Sequence, residues 1–145
     1  MTAAFAYPYS RFEPAPIVDL NARSVRQRLS GSALKGFFKL AQAWNLRDED
    51  ACVLLGGVSS SSYYEWKKNP QRVLEVDRLT RISYLLGIYK SLHILYGDDL
   101  ADKWVHMPNR NVLFGGRTPL AYMMEGGLLA MQAVRQLLDA RRGGV

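Results

Sequence analysis

Residues 47–68 read RDEDACVLLGGVSSSSYYEWKK, and this stretch decides the fold. Three acidic residues at 48–50 stand where negative charge stabilises the first turn of a helix, and apolar residues follow them. Gly56-Gly57 predicts the end of that helix, because glycine readily adopts the left-handed conformation at a helix C-terminus. The serines at 59–62 are typical caps for a second helix, which continues to Lys68. Two short helices joined by a tight turn predict a helix-turn-helix.

The second helix of this motif has a polar face. Trp66 lies eight residues after Val58, a spacing found in phage-repressor-like domains, and we expect Tyr63 and Trp66 to face the core. Short hydroxyls at a helix start suit phosphates and base edges, and lysines suit phosphates. Glu65 and the lack of arginine on this helix leave a plain helical hairpin in a bundle as the alternative. The predicted DNA-binding residues are Ser59, Ser60, Ser61, Tyr64, Lys67 and Lys68.

Helical periodicity extends to both sides of the motif. Apolar residues recur every three or four positions from Ser32 to Asn45, where the first helix should end. A longer periodic segment runs over residues 76–96, and Gly97-Asp98 should close it and open a short helix to Trp104.

The last part of the chain carries further helix signals. Thr118 and Pro119 have the residue types of an N-cap and a first helical position. Gly126-Gly127 should break that helix, and a last helix then runs from Leu128 to about residue 141 with Leu129 facing inward. We find no strand alternation, so the predicted fold class is all-α. It comprises an N-terminal arm at 1–30 (flexible, or folded onto a partner), a helix-turn-helix domain at 31–97 and a C-terminal domain at 98–145.

Composition limits the environment and the partners. No stretch approaches the roughly 20 apolar residues that a membrane span needs, and the N-terminus lacks the basic start and apolar run of a secretory signal. One cysteine among 145 residues cannot form an internal disulfide, which fits a reducing compartment. We therefore expect a cytoplasmic protein. The net charge of +6 favours a polyanionic partner.

The chain lacks the residue patterns of an enzyme. His93 and His106 are thirteen residues apart without a nearby cysteine or further histidine, which is not a metal-ligand spacing. Cys52 has no catalytic partner motif. The run 115–118 is Gly-Gly-Arg-Thr and lacks the lysine and glycine spacing of a phosphate loop. We expect no catalytic residues, no metal and no cofactor.

The segment after Lys103 is the most distinctive. It contains Trp104 before Pro108-Asn109, then the run 116–120 (Gly-Arg-Thr-Pro-Leu), then Gly126-Gly127. This combination resembles the toxin-binding domain of the Xre/MbcA/ParS antitoxin family. With the helix-turn-helix before it, the resemblance covers residues 32–145.

The resemblance implies a function in a toxin–antitoxin pair. Family members neutralise a toxin with a RES domain, which resembles ADP-ribosyltransferases and consumes NAD. Their C-terminal domain covers the toxin's active-site cleft, and their helix-turn-helix binds the promoter of the pair. They form homodimers within a larger hetero-oligomer. The alternative is a stand-alone helix-turn-helix regulator whose C-terminal module only dimerises.

The resemblance also directs attention to a basic C-terminal tail. Its arginines could pair with carboxylates in a cleft shaped for the NAD pyrophosphate, or they are only favourable charges at a helix C-terminus. Arg117 either touches the toxin or holds a backbone carbonyl in its own turn. Met123 and Met124 offer an adaptable contact surface or pack in the core. The predicted toxin-binding residues are Arg117, Met123, Arg135, Arg141, Arg142, Gly143, Gly144 and Val145.

Overall fold

A computed structural model describes residues 18–143, and helices make up most of this range. It contains α1 (Arg23–Ala43), α2 (Asp48–Leu54), α3 (Ser60–Lys68), α4 (Val76–Trp104), a short 3-10 turn (Val112–Phe114) and α5 (Pro119–Gly143). No strand occurs between residues 18 and 143. The all-α prediction is confirmed.

The first helix starts earlier than its apolar pattern predicted. It begins at Arg23 instead of near Ser32. Residues 23–30, which we had assigned to the N-terminal arm, therefore form the first turns of α1. Residues 1–17 of that arm lie outside the described residues.

A buried serine in these first turns connects α1 to a distant segment. The hydroxyl of Ser30 is fully buried and donates to the backbone carbonyl of Arg26 at 2.6 Å. The same oxygen accepts from the backbone N–H of Leu74, in the loop before α4, at 2.9 Å. This contact ties α1 to a segment more than forty residues away, and apolar periodicity does not encode such a contact.

The predicted helix-turn-helix is present. The backbone of Gly56 and Gly57 has φ angles of 96° and 88°, so both end α2 in the conformation that favours glycine. The hydroxyl of Ser59 accepts from the backbone N–H of Ser62 at 3.2 Å and caps α3.

Glycines also bend the two long helices. Gly97 has φ 75° and ψ 170° within α4, and Gly127 has φ 64° and ψ −141° within α5. These are the positions at which the sequence predicted helix breaks. Thr118 caps α5 by accepting from the backbone N–H of Ala121 at 3.1 Å, as predicted.

The core runs from the helix-turn-helix into the C-terminal part. α4 packs against both α5 and α1. Trp104 stacks edge-on against Phe114, which in turn packs edge-on against Tyr122. His106 hydrogen-bonds through Nε2 to the backbone carbonyl of Trp44 at 2.5 Å, so the end of α1 is tied to the segment after α4. None of the helices in the described range is long and apolar enough to cross a membrane.

Leu129 corrects one packing prediction. We expected it to face inward, but its side chain is 77% exposed. Val134 and Leu138 are buried, and Leu129 lies five and nine positions before them, which at about 100° per residue puts it on the opposite side of the helix.

Candidate functional sites

The exposed face of α3 is the candidate nucleic-acid interface. Tyr63 is 2% exposed and packs edge-on against Phe38, and Trp66 is partly buried against the core. These two positions fix which side of α3 faces solvent. All six predicted DNA-binding side chains lie exposed on that side, as their spacing indicated: Ser59, Ser60, Ser61, Tyr64, Lys67 and Lys68.

The two lysines of this face differ in their surroundings. The ammonium group of Lys67 lies 3.2 Å from a carboxylate oxygen of Asp48 on α2 and 4.9 Å from the ring centre of Tyr63. Lys68 lies 4.6 Å over the ring of Tyr64, and both members of that pair are exposed. An intramolecular carboxylate therefore offsets the charge of Lys67, whereas the contact of Lys68 within residues 18–143 is a cation–π contact with a neighbouring side chain.

The acidic start of α2 stands next to α3. Arg47 contacts Glu49 at 2.9 Å and Asp50 at 3.2 Å. The hydrogen bond and the charge of Asp50, with the charge of Glu49, raise the pKa of Arg47. The acidic turn is therefore partly neutralised by its own arginine and by Lys67, which lowers its repulsion of a phosphate backbone.

Two titratable side chains, Cys52 and Tyr63, are buried in the core behind this face. Burial raises the pKa of the Cys52 thiol, and Cys52 is 7% exposed. Burial, with smaller contributions from Asp48 and Cys52, raises the pKa of Tyr63 to about 12.

The predicted toxin-binding residues fall into three groups, and the first holds a correction. Met123 is fully buried in the core and cannot contact a partner in this structure. It lies three residues after the buried Leu120, on the inward side of α5. Met124 is partly buried and packs against the core as well. The burial of Met123 contradicts its prediction as a contact residue.

Arg117 forms the second group and lies at the start of α5. Its guanidinium donates to a carboxylate oxygen of Glu125 at 2.8 Å, and about half of its side chain is exposed. Its backbone N–H donates to the carbonyl of Phe114 and closes the Gly115-Gly116 turn. The guanidinium thus pairs with a carboxylate. It does not hold a backbone carbonyl of its own turn, which was one of the two expectations for Arg117.

The basic C-terminal residues form the third group. They continue α5 and lie along α4, and they do not form a separate tail within the described range. Arg135 pairs with Asp139 at 3.2 Å. Arg141 donates to the hydroxyl of Tyr96 at 2.8 Å, and Arg142 donates to the buried hydroxyl of Ser91 at 3.1 Å. Gly143 ends α5, and Gly144 and Val145 lie outside the described residues.

A histidine bridges the bend in α4. Nδ1 of His93 lies 2.8 Å from Asp98, and Nε2 lies 2.9 Å from Asp102. Burial lowers the pKa of His93, but the hydrogen bonds and charges of the two carboxylates outweigh burial and raise it. Within residues 18–143, the side chains of His, Cys, Asp and Glu form no cluster of three or more that could hold a metal ion. The two carboxylate partners of His93 could not be identified from the sequence, because they depend on the bend at Gly97.

Comparison with known proteins matches both halves of the described chain. Residues 23–87 match the family model of the antitoxin Xre-like helix-turn-helix domain. Residues 91–144 match that of the antitoxin Xre/MbcA/ParS C-terminal toxin-binding domain. A protein of Sinorhizobium fredii (strain NBRC 101917 / NGR234), y4oB, is described as uncharacterized. It is 38% identical over 112 residues, which cover 77% of this chain and 84% of that protein.

Proposed function

Because this chain belongs to the Xre antitoxin family, we propose that it neutralises a RES-domain toxin that consumes NAD and represses the operon encoding the pair. One observation carries the proposal: a single chain combines a helix-turn-helix whose second helix has an exposed polar face with a domain of the toxin-binding type.

The DNA-binding half of the proposal rests on α3. Its N-terminal end has three exposed serines, Ser59 to Ser61, and its C-terminal end has two exposed lysines. Hydroxyls at a helix start can donate to phosphates or to base edges, and lysines supply phosphate contacts. We infer that α3 enters the major groove of the operator. A homodimer would place two copies of α3 about 34 Å apart, one helical turn of DNA.

The toxin-binding half rests on the C-terminal domain. Arg141 and Arg142 donate to the neutral hydroxyls of Tyr96 and Ser91, and Arg142 also lies 4.0 Å from a carboxylate oxygen of Asp139. Arginine binds a carboxylate more strongly than a neutral hydroxyl, so the guanidinium of Arg141 can exchange its partner for an acidic group of a toxin, and that of Arg142 can add one. The proposed mechanism is occlusion, in which the basic end of α5 and residues 143–145 cover the cleft that binds NAD. Two antitoxin chains and their toxins then form a larger hetero-oligomer.

Co-expression with the product of the neighbouring gene tests this function. The full-length protein should co-purify with that product and stop its consumption of NAD. An Arg141→Ala/Arg142→Ala double variant should protect less well. Lys90→Ala/Lys103→Ala is the matched control, because both lysines are exposed cations on α4 and their removal lowers the positive charge by the same amount.

Each outcome has a distinct meaning. If the full-length protein does not bind the neighbouring product, the antitoxin proposal is wrong, and a stand-alone regulator with a dimerising C-terminal module takes its place. If it binds and the double variant protects equally well, the antitoxin role stands without the two arginines.

A further inference from the structure

Leu129 stands on a helix face that has no charged residue. Its side chain is 77% exposed and follows the bend at Gly127. Positions four, seven and eleven residues further along an α-helix share its side, and these are Ala133, Gln136 and Ala140. An exposed leucine therefore begins a row of uncharged side chains along the outer side of α5.

The charged side chains that follow the bend are engaged elsewhere. The guanidinium of Arg135 lies beside Gly87 of α4, and Arg142 reaches Ser91 of α4. Asp139 pairs with Arg135 and lies 3.4 Å from Ser91. After Gly127 these charges of α5 gather toward α4, and the outer side from Leu129 to Ala140 carries small, amide and apolar side chains. Depletion of charge is the compositional mark of the centre of a protein–protein interface.

A cavity that is open to solvent lies at the Leu129 end of this row. It has a volume of about 280 Å³. The ion pair of Arg117 and Glu125, with a distance of 2.8 Å, forms part of its wall. Its lining residues are Arg117, Tyr122, Glu125, Gly126, Leu129 and Ala130. The space can take one apolar side chain from outside.

We propose that this surface, the cavity together with Leu129, Ala133 and Gln136, is a docking face for the toxin, which inserts an apolar side chain beside Leu129. We call it the α5 outer face. The inference rests on the proposed function and extends it, because it locates a toxin contact away from the basic end of α5. The whole α5 outer face falls within residues 91–144, the part that matches the toxin-binding domain. For that reason we assign it to the toxin and not to a second copy of this chain.

The variant Leu129→Glu tests the α5 outer face. It places a charge where an apolar side chain should dock, next to Glu125. Ile94→Glu is the matched control, since Ile94 is 56% exposed, lies on α4 within the same matched range and does not line the cavity. Full-length proteins would be titrated against the purified product of the neighbouring gene. We expect Leu129→Glu to weaken binding by about tenfold or more, as loss of a central apolar anchor does, and Ile94→Glu to leave it unchanged.

Two further measurements keep the result interpretable. Thermal unfolding should be nearly the same in both variants, because both positions are exposed, and light scattering should give the same mass as for the unmodified protein. Equal binding by Leu129→Glu and the unmodified protein overturns the inference and leaves the antitoxin role intact. A drop in the mass of the Leu129→Glu variant also overturns it, because a second copy then occupies the face. If the unmodified protein does not bind the toxin, the proposed function and this inference both fail.

Discussion

The guanidinium group of Arg135 on α5 occupies the space beside Gly87 of α4 that any side chain at this position would need. A methyl group built on Gly87 would collide with the nitrogens and the central carbon of that guanidinium. Arg135 is held there by Asp139 at 3.2 Å. The glycine in the middle of α4 thus permits a close approach of an α5 side chain, in a helix where glycine is otherwise unfavourable.

Gly87→Ala should fail to give the stabilisation that this exchange usually gives inside a helix. A compatible Gly→Ala exchange raises the free energy of unfolding by about 0.5–1 kcal/mol, but here the methyl group displaces Arg135 and disturbs its pair with Asp139. In an Arg135→Ala background the obstacle is absent, and Gly87→Ala should then stabilise. Urea unfolding of the four proteins in this double-mutant cycle measures the coupling.

Gly31→Ala is the control for this cycle. Gly31 lies inside α1, and a methyl group there would meet the Gln71 side chain at an ordinary 3.5 Å. It should therefore stabilise by about 0.5–1 kcal/mol. Equal gains for Gly87→Ala in both Arg135 backgrounds would contradict the relationship between the two residues.

The free energy of unfolding should fall as the pH rises through the pKa of His93. Asp98 and Asp102 raise this pKa in the folded protein against the opposing effect of burial. A raised folded-state pKa means that the contribution is fully present below the unfolded value of about 6.5 and is lost as the pH rises through the folded value. Urea unfolding in a pH series that begins below about 6.5 and rises from there should show this loss, and His93→Gln should remove it.

Two aspartate variants test the source of this pH dependence. Asp102→Asn removes a carboxylate 2.9 Å from the His93 ring and should reduce the pH dependence. Asp99→Asn changes the same charge on a neighbouring residue that makes no hydrogen bond to His93, and should leave it unchanged. If the two variants behave alike, the effect comes from general electrostatics and not from the bridge.

The sequence was sufficient for the helix-turn-helix because its signals are local. The acidic first turn of α2, the pair Gly56-Gly57 and the cap at Ser59 each act within a few residues of their position. Such short-range effects depend on the local residue types alone, so they can be predicted from a single sequence.

The positions that were wrong have different reasons. The apolar pattern begins near Ser32, and it does not encode the bond from Leu74 to Ser30, 44 residues away, in the first turns of α1. Leu129 lies nine positions before the buried Leu138, so the helical period itself places it on the outer side. The contacts of Arg141 and Arg142 with α4 could not be predicted, since they need the packing of two helices.

Ser59 should prove to be a cap whose loss lowers stability. Its hydroxyl accepts from the backbone N–H of Ser62 at 3.2 Å, so Ser59→Ala should cost about 1 kcal/mol in the free energy of unfolding. Ser60 is exposed and does not cap α3, so Ser60→Ala should stay within about 0.5 kcal/mol. Chemical unfolding of both variants makes the comparison, and equal losses would show that the hydroxyl of Ser59 is not the cap.

Ser59→Asp separates capping from DNA binding. Aspartate caps a helix about as well as serine, so the free energy of unfolding should be maintained. It also places a negative charge on the candidate DNA face, so affinity for the operator should fall. Retained operator affinity in a stable Ser59→Asp protein would place the N-terminal end of α3 outside the DNA contact.

The ion pair between Lys67 and Asp48 should restrain DNA binding. Its two charged groups are 3.2 Å apart, so Lys67 must share its charge between Asp48 and a phosphate. Asp48→Asn should therefore raise operator affinity, whereas Lys68→Ala should lower it and reduce the salt slope by about 0.9 for one lost phosphate contact. Asp99→Asn, which adds the same net charge on α4, is the control for a general effect of charge. Binding titrations at several salt concentrations give both quantities, and equal gains from Asp48→Asn and Asp99→Asn would exclude a local restraint on Lys67.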